Sequence, residues 1–132
     1  MTLLADTHVV LWWWMDDPAL PTVFADTLQT AAARSSVVGV SAITLWEIAT
    51  LHARGRIRLT GSVDALLEDI ERHPAVDVLP LTARVALDSQ RLGPSFPRDP
   101  ADRIIAATAR CHGLRLMTAD ERIRDSGVVA LA

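Results

Sequence analysis

Hydrophobic residues follow two rhythms along this chain. Short unbroken apolar runs alternate with longer stretches whose apolar positions recur at helical spacing. The runs Leu3–Ala5, Val37–Val40, Val76–Leu79 and Leu114–Met117 read as strands, with Val128–Leu131 as a last short one. Between them lie helical stretches. Thr7–Met15 stops before Pro18, and Pro21–Arg34 has Pro21 at its start. Ser41 is placed to cap a helix reaching about Arg54, with Gly55 as its stop. Ser62–His73 has Ser62 as cap and Pro74 beyond its end. Thr82–Leu92 is the next helix, followed by the Pro-rich loop Gly93–Pro100. Ala101–His112 is a further helix, ended by Gly113. Such alternation predicts an α/β fold with a parallel sheet of about four to five short strands and helices on its faces. There is no repeat, no low-complexity tract and no linker, so residues 1–132 read as one domain.

Composition narrows the class. Half the residues are hydrophobic and 22% are charged, which fits a folded globular chain. No apolar run approaches the ~20 residues of a membrane helix. The N-terminus carries Asp6 and no basic flank, unlike a secretory signal. A soluble cytoplasmic protein with no membrane role is expected. Cys111 is the only cysteine, so no internal disulfide is possible, and Cys111-His112 lacks zinc-ligand spacing. The net charge of −3 offers no global basic field for nucleic acid. All thirteen basic residues are arginine, with no lysine. Genomic base composition accounts for that, since alanine is also abundant, yet the missing lysine excludes one fold relative below.

In open α/β sheets the chemistry lies outside the carboxyl ends of the strands. Asp6 follows the first strand. A lone buried carboxylate is expensive, so it needs a partner, a metal or a changed proton state; capping the next helix is its simplest use. Glu47 is the only acid in SAITLWEIATLHA, on a helix apolar nearly all round and therefore expected to be largely buried. It needs an arginine or a cation. Asp99 and Asp102 in RDPADRIIAATA have local work: Asp99 as N-cap, Pro100 behind it and Asp102 in the first turn. In MTADERI, Thr118 and Glu121 have capping-box spacing, which leaves Asp120 in the first turn with no role in the cap. Each acid can be explained singly. Together, Asp6, Glu47, Asp102 and Asp120 fall at one sheet edge or on helices leaving it. Packed carboxylates repel and raise one another's pKa, and a divalent cation removes that penalty. Oxygen ligands suit Mg²⁺ or Mn²⁺.

The segments LLADTH, SAITLWEIA, DPADRIIAATA and TADE, in that order, resemble the PIN-domain family over essentially the whole chain, and most closely its small VapC-type toxins. DPADRIIAATA is the most specific piece. The resemblance implies a three-layer PIN-like fold and a Mg²⁺-dependent endoribonuclease, the toxin of a type II toxin–antitoxin pair. It implies Asp6, Glu47, Asp102 and Asp120 as the catalytic, metal-holding quartet. Thr7, Asp99, Thr118 and Glu121 would support it, with Asp99 and Glu121 able to stand in for their neighbours. Hydrolysis would proceed by in-line attack of activated water on RNA, without a covalent intermediate. Single-stranded or loop RNA is the expected substrate. Arg98 and Arg103 flank the site as phosphate contacts, or as salt-bridge partners of the acids.

Trp12-Trp13-Trp14 cannot share one core face, because the outer two point ~200° apart on a helix. Either two are core and one is a surface aromatic, or the run marks an interface. The resemblance implies two such surfaces, a homodimer contact and a groove for the antitoxin. Two relatives in architecture are excluded. A response-regulator receiver needs a lysine, and a haloacid-dehalogenase phosphatase needs an acid where His8 stands. The remaining rival is a PIN-like module that binds RNA or antitoxin without cleaving, and the intact quartet speaks against it.

Overall fold

The computed structural model describes residues 1–132. Four parallel strands form one sheet: β1 (Leu3–Ala5), β2 (Val38–Ser41), β3 (Val76–Leu79) and β4 (Arg115–Met117), in the order β3-β2-β1-β4. β1 lies inside the sheet, with Leu4 opposite both Gly39 and Leu116. Its side chains alternate between two cores, as the pleat requires. Leu3 and Ala5 join Val9, Phe24, Leu28, Ile48 and Ile70 on one face. Leu4 joins Leu92, Phe96, Ile105 and Ile123 on the other. Hence helices α1 (Thr7–Trp14), α2 (Thr22–Ala33), α3 (Ala42–Ala53) and α4 (Val63–Arg72) contribute to the first core. Helices α6 (Pro100–His112) and α7 (Glu121–Ser126) contribute to the second, with the short α5 (Ala83–Ser89) packed on α6. The three layers with helices on both faces follow the sequence expectation.

Boundaries moved where caps decide them. Gly113 takes a left-handed φ of 65°, and the Leu114 N–H turns back to Ala109 O at 2.9 Å, so β4 starts one residue late. α5 ends at Ser89, whose hydroxyl bonds Ala86 O at 2.6 Å, instead of reaching Leu92. The expected strand Val128–Leu131 is reduced to one bridge between Leu131 and Leu116. α3 is not buried all round: only Thr44 and Ile48 are fully buried, and Trp46 is 59% exposed. Its apolar composition overstated its burial because one side has no element packed on it.

No helix is long and apolar enough to cross a membrane.

Candidate functional site

Asp6, Asp99 and Asp120 each cap a helix and Asp102 lies in the first turn of α6, whereas Glu47 sits midway along α3. Asp6 ends β1 and caps α1, accepting the Val9 N–H at 3.0 Å. Asp99 caps α6 and accepts the Asp102 N–H at 3.1 Å. Asp120 itself caps α7, accepting the Arg122 N–H at 2.9 Å. The Thr118–Glu121 box expected from sequence does not form. Thr118 Oγ1 instead accepts the Asp120 N–H at 3.1 Å, so the helix starts at Glu121. Capping and site duty coexist in the same side chains, because both exploit strand and helix ends that meet at one edge.

These ends enclose a cavity of about 370 Å³ lined by Asp6, Glu47, Asp99, Asp102 and Asp120. Carboxylate oxygens of Glu47, Asp99 and Asp102 all lie within 4.8 Å of one another. Asp6 is the buried member, Glu47 and Asp102 are half-buried, and Asp99 is exposed. Burial raises the pKa of Asp6, against the Thr118 hydroxyl and the Val9 N–H, which pull it down. Burial also raises Glu47, opposed by the Thr7 hydroxyl and aided by the negative charge of Asp99. Asp102 is pushed up to about 7, first by burial and then by repulsion from Asp99, Glu47, Asp120 and Asp6. Asp120 moves the other way. Arg122 grips it through Nη2–Oδ2 at 3.1 Å and Nε–Oδ1 at 3.4 Å, and holds its pKa down. Crowded hard-oxygen donors that resist ionisation are the donor set a small divalent cation satisfies. The residues present therefore fit a metal ion.

The site departs from the sequence expectation at several positions. Asp99 lies within 4.8 Å of both Glu47 and Asp102 and so joins the donor group, as its expected interchange with Asp102 allows. Thr7 Oγ1 shares a hydrogen bond with Thr44 Oγ1 at 3.1 Å, a buried hydroxyl pair that the sequence did not single out. Glu121 is turned into a neighbouring cavity with Phe24 and Arg124. Arg103 is committed elsewhere: it donates to Phe96 O at 3.1 Å and lies 5.9 Å from the centre of the Phe96 ring. Arg98 is exposed and does not line the cavity. The arginine that does line it is Arg122, which no motif marks.

The tryptophans divide unexpectedly. None is a free surface aromatic; all three are half-buried against the first core. Trp14 donates its indole N–H to Asp69 Oδ2 at 2.6 Å and meets His73 edge-on at 5.1 Å. Trp13 packs on Trp14 at 4.9 Å. Trp12 lines the acidic cavity together with His8. The exposed tryptophan is Trp46, outside the triplet.

Comparison with known proteins bears on the family and the fold. The PIN domain model matches residues 3–128. Ribonuclease VapC22 of Mycobacterium tuberculosis (strain ATCC 25618 / H37Rv) is 37% identical over 123 residues, spanning 93% of this chain and 90% of that protein. The fold matches DNA-bound VapBC from Salmonella typhimurium with a TM-score of 0.73 at 17% identity, over 100% of this chain and 97% of that one. FitAcB from Neisseria gonorrhoeae matches with a TM-score of 0.67 at 25% identity, over 99% and 97%. The chain belongs to the PIN-domain family, among its VapC-type ribonucleases.

Proposed function

We propose that the acidic cavity is the active site of a metal-dependent endoribonuclease, the toxin half of a type II toxin–antitoxin pair. The observation that carries this reading is convergence. Carboxylates at positions 6, 47, 99, 102 and 120, spread over most of the chain, line one cavity. Asp6, Glu47, Asp102 and Asp120 are the proposed metal-holding and catalytic quartet, with Asp99 beside them. Mg²⁺ is the proposed ion, and Mn²⁺ suits the same oxygens. When bound, such an ion stabilises charge on a phosphate and lowers the pKa of water.

The chain's own residues supply position. Thr118 is hydrogen-bonded to the Asp120 backbone and lies against Asp6, so it ties the β1 and β4 ends together. Thr7, braced by Thr44, orients Glu47. Arg122, exposed at the cavity lining and paired there with Asp120, is the proposed phosphate contact, taking the role expected of Arg103. Arg98 remains a second such contact, since it is exposed near Asp99 in sequence. Hydrolysis by water, without a covalent intermediate, is the proposed route. Single-stranded RNA is the proposed substrate, a cognate antitoxin and a second copy of the chain the proposed partners, and the cytoplasm the proposed location.

The test is cleavage of a mixed RNA pool by purified protein. We expect cleavage with Mg²⁺, none with EDTA, and a loss of at least about 100-fold in Asp6→Asn, the scale on which single groups that stabilise developing charge act. Cleavage that survives EDTA, or full activity in Asp6→Asn, overturns the mechanism. If no RNA is cut under any condition, the chain is a binding module instead.

A further inference from the structure

The acidic cavity has a second kind of lining. His8 and Trp12 stand one helical turn apart on α1, on the same face, with ring centres 6.0 Å apart and planes inclined by 52°. Both line the cavity that holds the carboxylates. His8 is exposed, and it lies close enough to Asp6 and Glu47 for its charge to act on both. Trp12 packs partly on the first core, which fixes its ring, and keeps the rest in the cavity. Unlike Trp14, whose indole N–H is bound to Asp69, Trp12 makes no side-chain hydrogen bond that would explain its position.

Metal binding leaves these rings unexplained. The closest donor group is Glu47, Asp99 and Asp102, all oxygen, without the imidazole. Nor does an ion need the space: at roughly 30 Å³ per water, a hydrated ion fills only part of a cavity of about 370 Å³. A nucleotide has both required ends, a phosphate for a cation held by the acids and a flat ring for the aromatic side. Unpaired bases stack on such side chains without needing a particular sequence.

We infer that His8 and Trp12 form a nucleobase wall, on which an unpaired base beside the bond under attack lies while its phosphate faces the cation that the acids would hold. The wall rises from the helix capped by Asp6, so base and phosphate positions are linked by one rigid element. This inference rests on the ribonuclease reading above, and it assigns a role to an aromatic pair otherwise left to packing. The wall selects unpaired RNA because a base locked in a duplex cannot reach it.

The experiment is steady-state cleavage of a fluorogenic single-stranded RNA pool by wild type, Trp12→Leu, Trp12→Phe, His8→Ala and His8→Phe. Stacking is worth enough that losing one ring should raise KM by about 5- to 150-fold, with kcat changing far less. The Phe variants keep a ring and should recover most of that loss. His8→Phe behaving like His8→Ala overturns the wall in favour of a charge role for His8. A KM shift below about twofold in both Trp12→Leu and His8→Ala also overturns it, and leaves Trp12 to a protein partner. If Trp12→Leu fails to fold, by circular dichroism, the His8 pair and Trp12→Phe decide. Should the wild type cut no RNA, the ribonuclease reading fails separately. The wall is then read from binding in Mg²⁺ of an oligoribonucleotide against an abasic strand of equal length, and equal affinities would refute it.

Discussion

Asp102 is held in a form its surroundings dislike. Its pKa sits at about 7, well above the ordinary value of 3.8. The sign of the consequence is fixed by proton counting. Between those two values the unfolded chain has released the proton while the folded chain keeps it, so stability falls as pH rises from about 4 to about 7. Asp6 and Glu47 shift in the same direction and deepen the fall. Melting curves in EDTA should show Tm decreasing across that window, and saturating Mg²⁺ should recover much of the loss at pH 7.5. Asp102→Asn removes one charge from the cluster. It should melt a few degrees higher than wild type in EDTA at pH 7.5, on the scale of ~4 °C per kcal/mol for a chain of this size, while losing cleavage. A Tm unchanged by the substitution would show that the acids do not repel. The acids themselves were legible in the sequence because strand ends and caps are local signals. Arg122 was not. It is one of thirteen arginines, and only the turn at Asp120 brings it to the cavity, a tertiary fact with no sequence signature. His8 has no sequence signature either, because a histidine near an acid is common and its pairing with Trp12 appears only on the folded helix.

At the level of elements, α6 shows how a cap and a site can share atoms. Asp99 closes the first turn through the Asp102 N–H, and its carboxylate also stands beside Glu47. Two substitutions separate these roles. Asp99→Ala should cost ~1 kcal/mol in urea unfolding, the usual loss of a cap. Asp99→Ser keeps an acceptor and should stay within about 0.5 kcal/mol of wild type. Calorimetry should find Mg²⁺ affinity lowered equally in both, since both lose the carboxylate. Equal destabilisation by Ala and Ser would mean that the cap is idle, and unchanged Mg²⁺ affinity would remove Asp99 from the donor group. The long amphipathic elements and their order were readable from periodicity. What escaped was the competition at their ends. Thr118 prefers the Asp120 N–H over a box with Glu121, and α7 starts later in consequence. The segment after Gly127 has strand-like residues, yet finds only one ladder position, at Leu116. Apolar pattern sets what a segment can be, and available edges set what it becomes.

For the whole molecule the governing quantity is charge, and it points against the proposed substrate. The chain carries −3 overall, and its cavity gathers five carboxylates against Arg122 and His8. RNA brings more negative charge. Attraction must therefore come from the bound cation and from arginines near the cavity, of which Arg103 is spent on Phe96 while Arg54 and Arg56 line the adjoining pocket with Glu47 and Asp99. Two measurements follow from that balance. In EDTA, where nothing is cut, labelled single-stranded RNA should show no measurable binding by anisotropy at micromolar protein. In fixed Mg²⁺, log(kcat/KM) should fall only gently with log of KCl concentration. Each phosphate contact on a single strand contributes a slope of about −0.7. Contacts by Arg122 and Arg98 alone give roughly −1.4 on that scale, and Arg122→Ala should halve the slope while lowering kcat/KM at low salt. A slope of about −3 or steeper would reveal a basic track elsewhere on the surface and displace these two residues as the anchors. A slope near zero would mean that the cation and the aromatic wall hold the RNA by themselves. Gentle salt dependence together with strict cation dependence is the behaviour expected of an acidic protein that recognises a polyanion through a metal ion.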